Sequence, residues 1–243
     1  MKRFLWLPLV PALFVFSHAA QAGKTAEKPR YETREDHDPD GLGKFYLGRE
    51  IAQVMTYHGA SWLDRPEREK EEHASKLLPR LKIRPGDVVA DLGAGSGFYT
   101  FKLADIVGEK GKVYAVDIQK EMLKIIKTRM LKKGVKNIEL IENTVTDPKL
   151  PASAVDLIFM VDVYHELSYP YETTEKMIRA LKPGGRMVFV EFRGEDPDVP
   201  IKLVHKMTEK QVLKEMAIWP GLRHVETQGH LPWQHVIIFE KKK

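Results

Sequence analysis

The run Asp91-Leu92-Gly93-Ala94-Gly95-Ser96-Gly97 combines residue types and spacing suited to close ligand binding. Glycine is needed where the backbone turns sharply and where a ligand must reach main-chain amides with no Cβ in between. An apolar run over 87–92 leads into the loop, and a helical pattern follows it. At the carboxyl end of a first strand, such a loop lies where open α/β sheets bind their ligands. A dinucleotide fingerprint would place glycines at the first, third and sixth loop positions. Here the third glycine is at the fifth position, and the sixth is Phe98. No Gly-Lys-Ser/Thr follows, which excludes a Walker-type phosphate loop.

Asp117 ends a second apolar run about 20 residues beyond the loop, where an acid can accept two charge-assisted hydrogen bonds from a ribose diol. After a fourth run comes Asp162-Val163-Tyr164-His165-Glu166. His165, with an ordinary pKa of about 6.5, suits proton transfer near neutral pH. A histidine that only hydrogen-bonds a neighbouring loop is the plainer reading of the same residue. Glu166 could tune His165, and Tyr164 could orient a bound molecule.

Glycines at loop positions one, three and five, preceded by an acid, resemble the fingerprint of class I S-adenosylmethionine (SAM)-dependent methyltransferases. Together with Leu150-Pro151 and Leu181-Lys182-Pro183-Gly184-Gly185, they resemble the small-molecule (type 11 or ubiquinone-methylase-like) branch, over roughly residues 81–239. The resemblance implies an α/β fold with a doubly wound, mostly parallel seven-stranded sheet whose last strand is antiparallel. It implies SAM as cofactor, with Asp91, Gly93, Gly95 and Gly97 around its methionine part, Asp117 on the ribose and Ile118 against the adenine. At Glu142-Asn143-Thr144 the family commonly shows Gly-Asp. Asn143 and Thr144, or Asp147 beyond them, would contact the adenine or serve only as turn residues. Asp162 would fix its loop or touch the SAM amino group. The implied activity is methyl transfer to a small-molecule or lipid-like acceptor, with His165 and Tyr164 on the acceptor side. The alternative is a non-catalytic SAM-fold binding or interaction protein of the cell envelope. A nicotinamide oxidoreductase is disfavoured by Phe98, and no paired acids suit an aminopropyl transferase.

The elements that must position these residues follow from periodicity. Strands are expected over 87–92, 112–117, 137–141, 155–161 and 186–192, with helices over 97–107, 120–132 and 171–181. The run over 155–161 is apolar almost throughout, as a strand buried on both faces should be. Thr208 and Gln211 form a capping box for a helix to Ala217. Residues 223–228 and 236–240 read as an antiparallel pair, and alternating β and α implies a parallel, doubly wound sheet. Upstream, 23–43 is polar and aperiodic and reads as a flexible linker. Leu47, Ile51, Val54 and Met55 at helical spacing predict a helix over 44–57. Asp64, Pro66 and Glu67 predict the capped start of a second helix. Residues 44–82 would then be a helical cap on a SAM-binding domain over 83–243. Tyr46, Arg49, Trp62 and Arg65 could form its lid over the acceptor, against the plainer reading of a solvated face with one buried Trp.

Composition narrows the chemistry. The chain has 243 residues and no cysteine, so disulfides, thiolate nucleophiles and Cys-ligated zinc are excluded. A formal charge of +5 with no basic stripe argues against nucleic acid. The Asn/Asp-Pro-Pro-Tyr/Phe signature of amino-group DNA methylases is absent. His224, His230 and His235 lack a zinc-site spacing, so no metal is expected. Lys2 and Arg3, the apolar run over 4–16 and Ala20-Gln21-Ala22 have the three regions of a secretory signal peptide, 1–22, which predicts export to the periplasm. Pro8 and Pro11 interrupt a run too short for a stable span. The oligomeric state is not legible.

Overall fold

The structure is a computed structural model that describes Met1 and residues 30–243. The predicted signal peptide therefore lies outside the described residues, apart from Met1. Chain order begins with a small antiparallel sheet of β1 (Tyr31–Thr33), β2 (Gly41–Tyr46) and β3 (Arg49–Ala52). Three short helices follow, α1 (Ala60–Leu63), α2 (Arg68–Glu72) and α3 (Ala74–Arg80).

From there strands and helices alternate: β4 (Val88–Leu92), α4 (Phe98–Val107), β5 (Lys112–Asp117), α5 (Lys120–Lys133), β6 (Ile138–Glu142), β7 (Val155–Val161), α6 (Pro170–Ala180) and β8 (Leu181–Phe192). The chain closes with α7 (Glu209–Met216), β9 (Leu222–Gln228) and β10 (Gln234–Lys241). The main sheet has seven strands in the order β6-β5-β4-β7-β8-β10-β9, with β10 antiparallel to both its neighbours. Strand order reverses between β4 and β7, so the carboxyl ends of these two strands flank the crevice in which such sheets bind ligands.

The core sits on both faces of this sheet. One layer packs α4 and α5 residues such as Leu103, Val107 and Ile126 against Val89 and Val113. The other packs Met177 and Ala180 of α6 and Val212 and Met216 of α7 against Ile158 and Phe189. Leu157, Ile158, Phe159 and Met160 of β7 are all fully buried, which accounts for the unbroken apolar run. Thr208 caps α7 by accepting from the Gln211 amide at 3.1 Å. Pro183-Gly184-Gly185 lies inside β8, where its pairing with β7 shifts register, and not in a preceding loop.

The N-terminal reading needs correction. The predicted linker contains β1 and the start of β2, and the predicted helix over 44–57 is a hairpin followed by a 3₁₀ turn at Tyr57–Gly59. Leu47 and Gly48 both have positive φ between the paired residues Tyr46 and Arg49, as a two-residue type I′ turn requires. Phe45, Tyr46, Ile51 and Ala52 then bury side chains from both strands, so helical spacing there was coincidental. Arg49 fastens the hairpin through a bidentate pair with Glu215 of α7 at 2.8 and 3.1 Å, and through the His165 carbonyl at 3.0 Å. Asp64 does not cap a helix start. It follows α1, and its carboxylate accepts from Arg129 at 2.7 Å and Ser96 at 3.0 Å. Among the described residues no helix is long and apolar enough to cross a membrane.

Candidate active site

Three strand ends build the floor of the site. Gly93, Gly95 and Gly97 all have positive φ, so the loop after β4 coils in a way residues with a Cβ resist. A Cβ on Gly93 would come within 2.4 Å of Val163, and one on Gly95 within 2.6 Å of Leu63. Gly97 serves a different purpose: it is the left-handed start of α4, packed against Ile126 and Phe101. Asp117, at the end of β5, accepts from the Gly95 amide with one oxygen and the Gln119 amide with the other, both at 2.8 Å. Burial pushes its pKa up, and these two amides oppose that shift.

Gly93, Gly95 and Asp117 line a cavity of about 420 Å³ at the carboxyl ends of β4, β5 and β7. Ile118, Asn143, Thr144, Asp162 and His165 also reach it. Two buried oxygens on its wall, Asn143 Oδ1 and Asp162 Oδ1, have no hydrogen-bond partner among the described residues. Asp162 has a left-handed backbone, donates its amide to the Val190 carbonyl at 2.8 Å and accepts from Gln234 at 2.7 Å with its other oxygen. Burial, with Glu72 and Glu191 nearby, drives its pKa well above the carboxylate range. Thr144 Oγ1 closes a turn by accepting from the Asp147 amide at 3.1 Å, so Asp147 enters the site only through the backbone.

Three expected site residues are placed elsewhere, Gly97 at the start of α4 and two more. The Asp91 carboxylate does not line the cavity; it accepts from Thr100 at 2.6 Å, tying the loop to α4. Burial raises its pKa to about 6. Tyr164 is wholly buried, with its ring edge-on to Phe189 at 4.9 Å, and cannot orient a molecule in the cavity. Its place in the chain beside His165 suggested a shared role, but consecutive residues of a 3₁₀ turn point in different directions.

His165 does face the cavity. Its Nδ1 lies 2.6 Å from Glu191 of β8, whose other oxygen accepts from the Tyr164 amide. Burial pulls the imidazole pKa down, but the Glu191 and Glu166 carboxylates together leave it above its ordinary value. Nε2 lies 3.1 Å from His205 Nδ1 and 3.9 Å from Glu166. Glu166 accepts from the Met55 amide at 3.2 Å, and burial raises its pKa to about 7. Burial, then the charge of His165, lowers His205 to about 4.

Sequence reasoning missed Glu191, His205 and Gln119. The first two lie 26 and 40 residues from His165, a separation that carries no motif. Gln119 joins the N-terminal segment to the floor, donating to the Met55 carbonyl at 3.0 Å and accepting from the Tyr57 amide at 2.7 Å. Of the four proposed lid residues, only Trp62 lines the cavity; Leu63 and Arg68 join it.

A family model described as "Methyltransferase domain" matches residues 83–237. The chain belongs to that family. It is 33% identical over 154 residues to a protein of Francisella tularensis subsp. novicida named ubiquinone/menaquinone biosynthesis C-methyltransferase UbiE, covering 63% of this chain and 59% of the relative. A protein of the same name from Ectopseudomonas mendocina is 34% identical over 111 residues, covering 45% of this chain and 43% of that one. The chain thus spans about half the length of the curated relatives it matches. Among solved structures, a SAM-dependent methyltransferase from Aquifex aeolicus superposes with a TM-score of 0.72 at 29% identity, covering 77% of this chain and 100% of that one. The family and this neighbour imply SAM as the cofactor. The residues fit it: Asp117 lines the cavity at the end of β5, and the Asn143 and Asp162 oxygens on the same wall are left for a ligand's hydrogen bonds.

Proposed function

We propose that this protein transfers the methyl group of SAM to a small, partly apolar acceptor carrying a hydroxyl, of the quinol or phenol type. One observation carries the reading. One cavity is lined both by the glycine loop and Asp117 and by His165, Glu166 and His205. Its lining also includes the apolar residues Val54, Phe192 and Ile201, suited to the faces of a ring. The two relatives, named as C-methyltransferases of ubiquinone and menaquinone biosynthesis, support a ring acceptor.

SAM, when bound, supplies a methyl on sulfonium, which an acceptor electron pair takes as the S–CH₃ bond breaks and its electrons return to sulfur. The protein's task is then alignment and protection from water. Holding two reactants in line is worth ~7–11 kcal/mol of barrier. Asp117, with the Asn143 and Asp162 oxygens, would hold the nucleoside and methionine parts, while the amides at 93–95, donated to the Val116 carbonyl and Asp117, fix the shape of the loop. Trp62 and Leu63 would cover them, with α1 anchored by the Asp64–Arg129 pair. The polar end would receive the acceptor hydroxyl, fixing which ring atom faces the methyl.

The test is incubation of the purified protein with methyl-labelled SAM and a panel of hydroquinones, catechols and aliphatic alcohols. Label transfer to aromatic acceptors supports the reading; absence of transfer to any of them, with SAM binding intact, would leave a binding protein of the same fold. We also propose export, on the leader-like pattern of residues 1–22. Recovery of the native protein only from the cytosolic fraction would refute it.

A further inference from the structure

The polar end of the cavity has more order than an acceptor pocket needs. His165 Nε2, His205 Nδ1 and a Glu166 oxygen form a triangle with edges of 3.1, 3.6 and 3.9 Å. They come from two separate segments, the 3₁₀ turns Tyr164–Glu166 and Leu203–His205. Two imidazole nitrogens and a carboxylate oxygen on a tetrahedral zinc ion, at about 2.0–2.2 Å from it, would be about 3.4 Å apart. The observed edges bracket that value.

The surroundings match as well. Metal-bound histidines commonly donate their second ring nitrogen to a carboxylate, which fixes the tautomer and strengthens the ligand. Glu191 takes that position on His165, at 2.6 Å from Nδ1 and fully buried. It is itself held by the Tyr164 amide at 2.9 Å. With Nδ1–H committed to Glu191, the neutral ring presents the Nε2 lone pair to the triangle. All three side chains line the cavity, so a fourth coordination position would open toward the acceptor.

We propose that His165, Glu166 and His205 bind a divalent transition metal, of the zinc or iron(II) class, at the acceptor end of the cavity. The proposal rests on the reading above, because the metal's use would be to hold the acceptor oxygen. A hydroxyl bound at the open position is favoured in its deprotonated form, its proton passing to water, and the oxyanion makes a richer electron donor to the incoming methyl. On this account His165 serves as a ligand and Glu191 as its positioning residue. The pattern could not be seen in the sequence, where His205 stands far from the other two and no cysteine marks a site.

The experiment is metal analysis and Zn²⁺ titration of the full chain, purified without a histidine tag and stripped by chelator, with SAM binding measured on the same samples by calorimetry. The expected result is one equivalent of Zn²⁺ per chain. His205→Ala and Glu166→Gln should each weaken binding by at least tenfold, and Glu191→Gln by about 10–100-fold. Co²⁺ in place of Zn²⁺ should show visible absorption bands that His205→Ala abolishes. His205 is partly exposed, so its variant should fold, and retained SAM affinity verifies this. Wild-type protein that binds SAM but no Zn²⁺, Co²⁺ or Fe²⁺ below 100-micromolar levels, on the order of a weak surface site, would overturn the metal and leave the methyltransferase reading standing. Zn²⁺ binding that all three variants retain would equally overturn it. Failure to bind SAM would instead count against the functional reading.

Discussion

Replacing Gly93 with alanine tests the loop at its tightest point. Gly93 has φ of +73°, and an L-residue held in the left-handed region costs about 1–2 kcal/mol. The added Cβ would also fall 2.4 Å from one Val163 methyl and 2.8 Å from the other. Both branches of a β-branched side chain are in the way, and χ1 has few alternatives, so rotation gives little relief. Overpacking of this kind adds about 1–3 kcal/mol. Gly93→Ala should therefore destabilise the fold by about 2–5 kcal/mol in urea denaturation. Because Val163 lines the cavity, SAM affinity should also drop, by more than tenfold in calorimetry. Adding Val163→Ala removes the clash but leaves the backbone strain. The double mutant should be less destabilised than the sum of the singles, with a coupling of about 1–3 kcal/mol. Additivity to within about 0.5 kcal/mol would refute the steric account.

Asp117→Ala should weaken SAM binding by more than tenfold in calorimetry, through loss of a charge-assisted acceptor; unchanged affinity would remove Asp117 from the site. Burial raises the Asp91 pKa to about 6, so the folded state holds this proton more tightly than the unfolded chain does. Its contribution is thus largest at low pH and declines as pH rises from about 4 through 6. Asp91→Asn should gain on the wild type by about 1–3 kcal/mol between pH 4 and pH 7 in urea melts, and a pH-independent difference would contradict this. Arg49→Met leaves buried Glu215 unpaired and should cost about 3–5 kcal/mol, whereas Arg49→Met with Glu215→Leu should recover most of it. Equal melting temperatures for the single and double variants would show that burial of the lone charge is not the cause.

Much of this protein could be read without coordinates. The strand over 155–161, the helix at Lys120–Lys133 and the glycine loop between β4 and α4 lie where periodicity and glycine spacing put them. Each of these signals is local: side-chain alternation, a helical stripe, a backbone that needs positive φ. The order of βα units then left few topologies to choose among, because crossovers share one hand. The same local logic failed at 44–57, where four apolar residues at helical spacing outweighed the Leu47-Gly48 pair that makes the turn. The preference for a hairpin there came from burial against α7 and the segment after β7, through Arg49, Glu215 and the His165 carbonyl.

What the order of residues determined was the scaffold, the glycine loop and the placing of Asp117 and His165 at strand ends, since each is fixed by its own strand. The group around His165 was decided by tertiary structure. Alignment of β7 with β8, which pairs Val161 with Val190, carries Glu191 to His165. Packing of the Leu203–His205 turn against β3 and the Tyr164–Glu166 turn brings in His205. Such contacts join residues tens of positions apart, and no local preference of the chain encodes them.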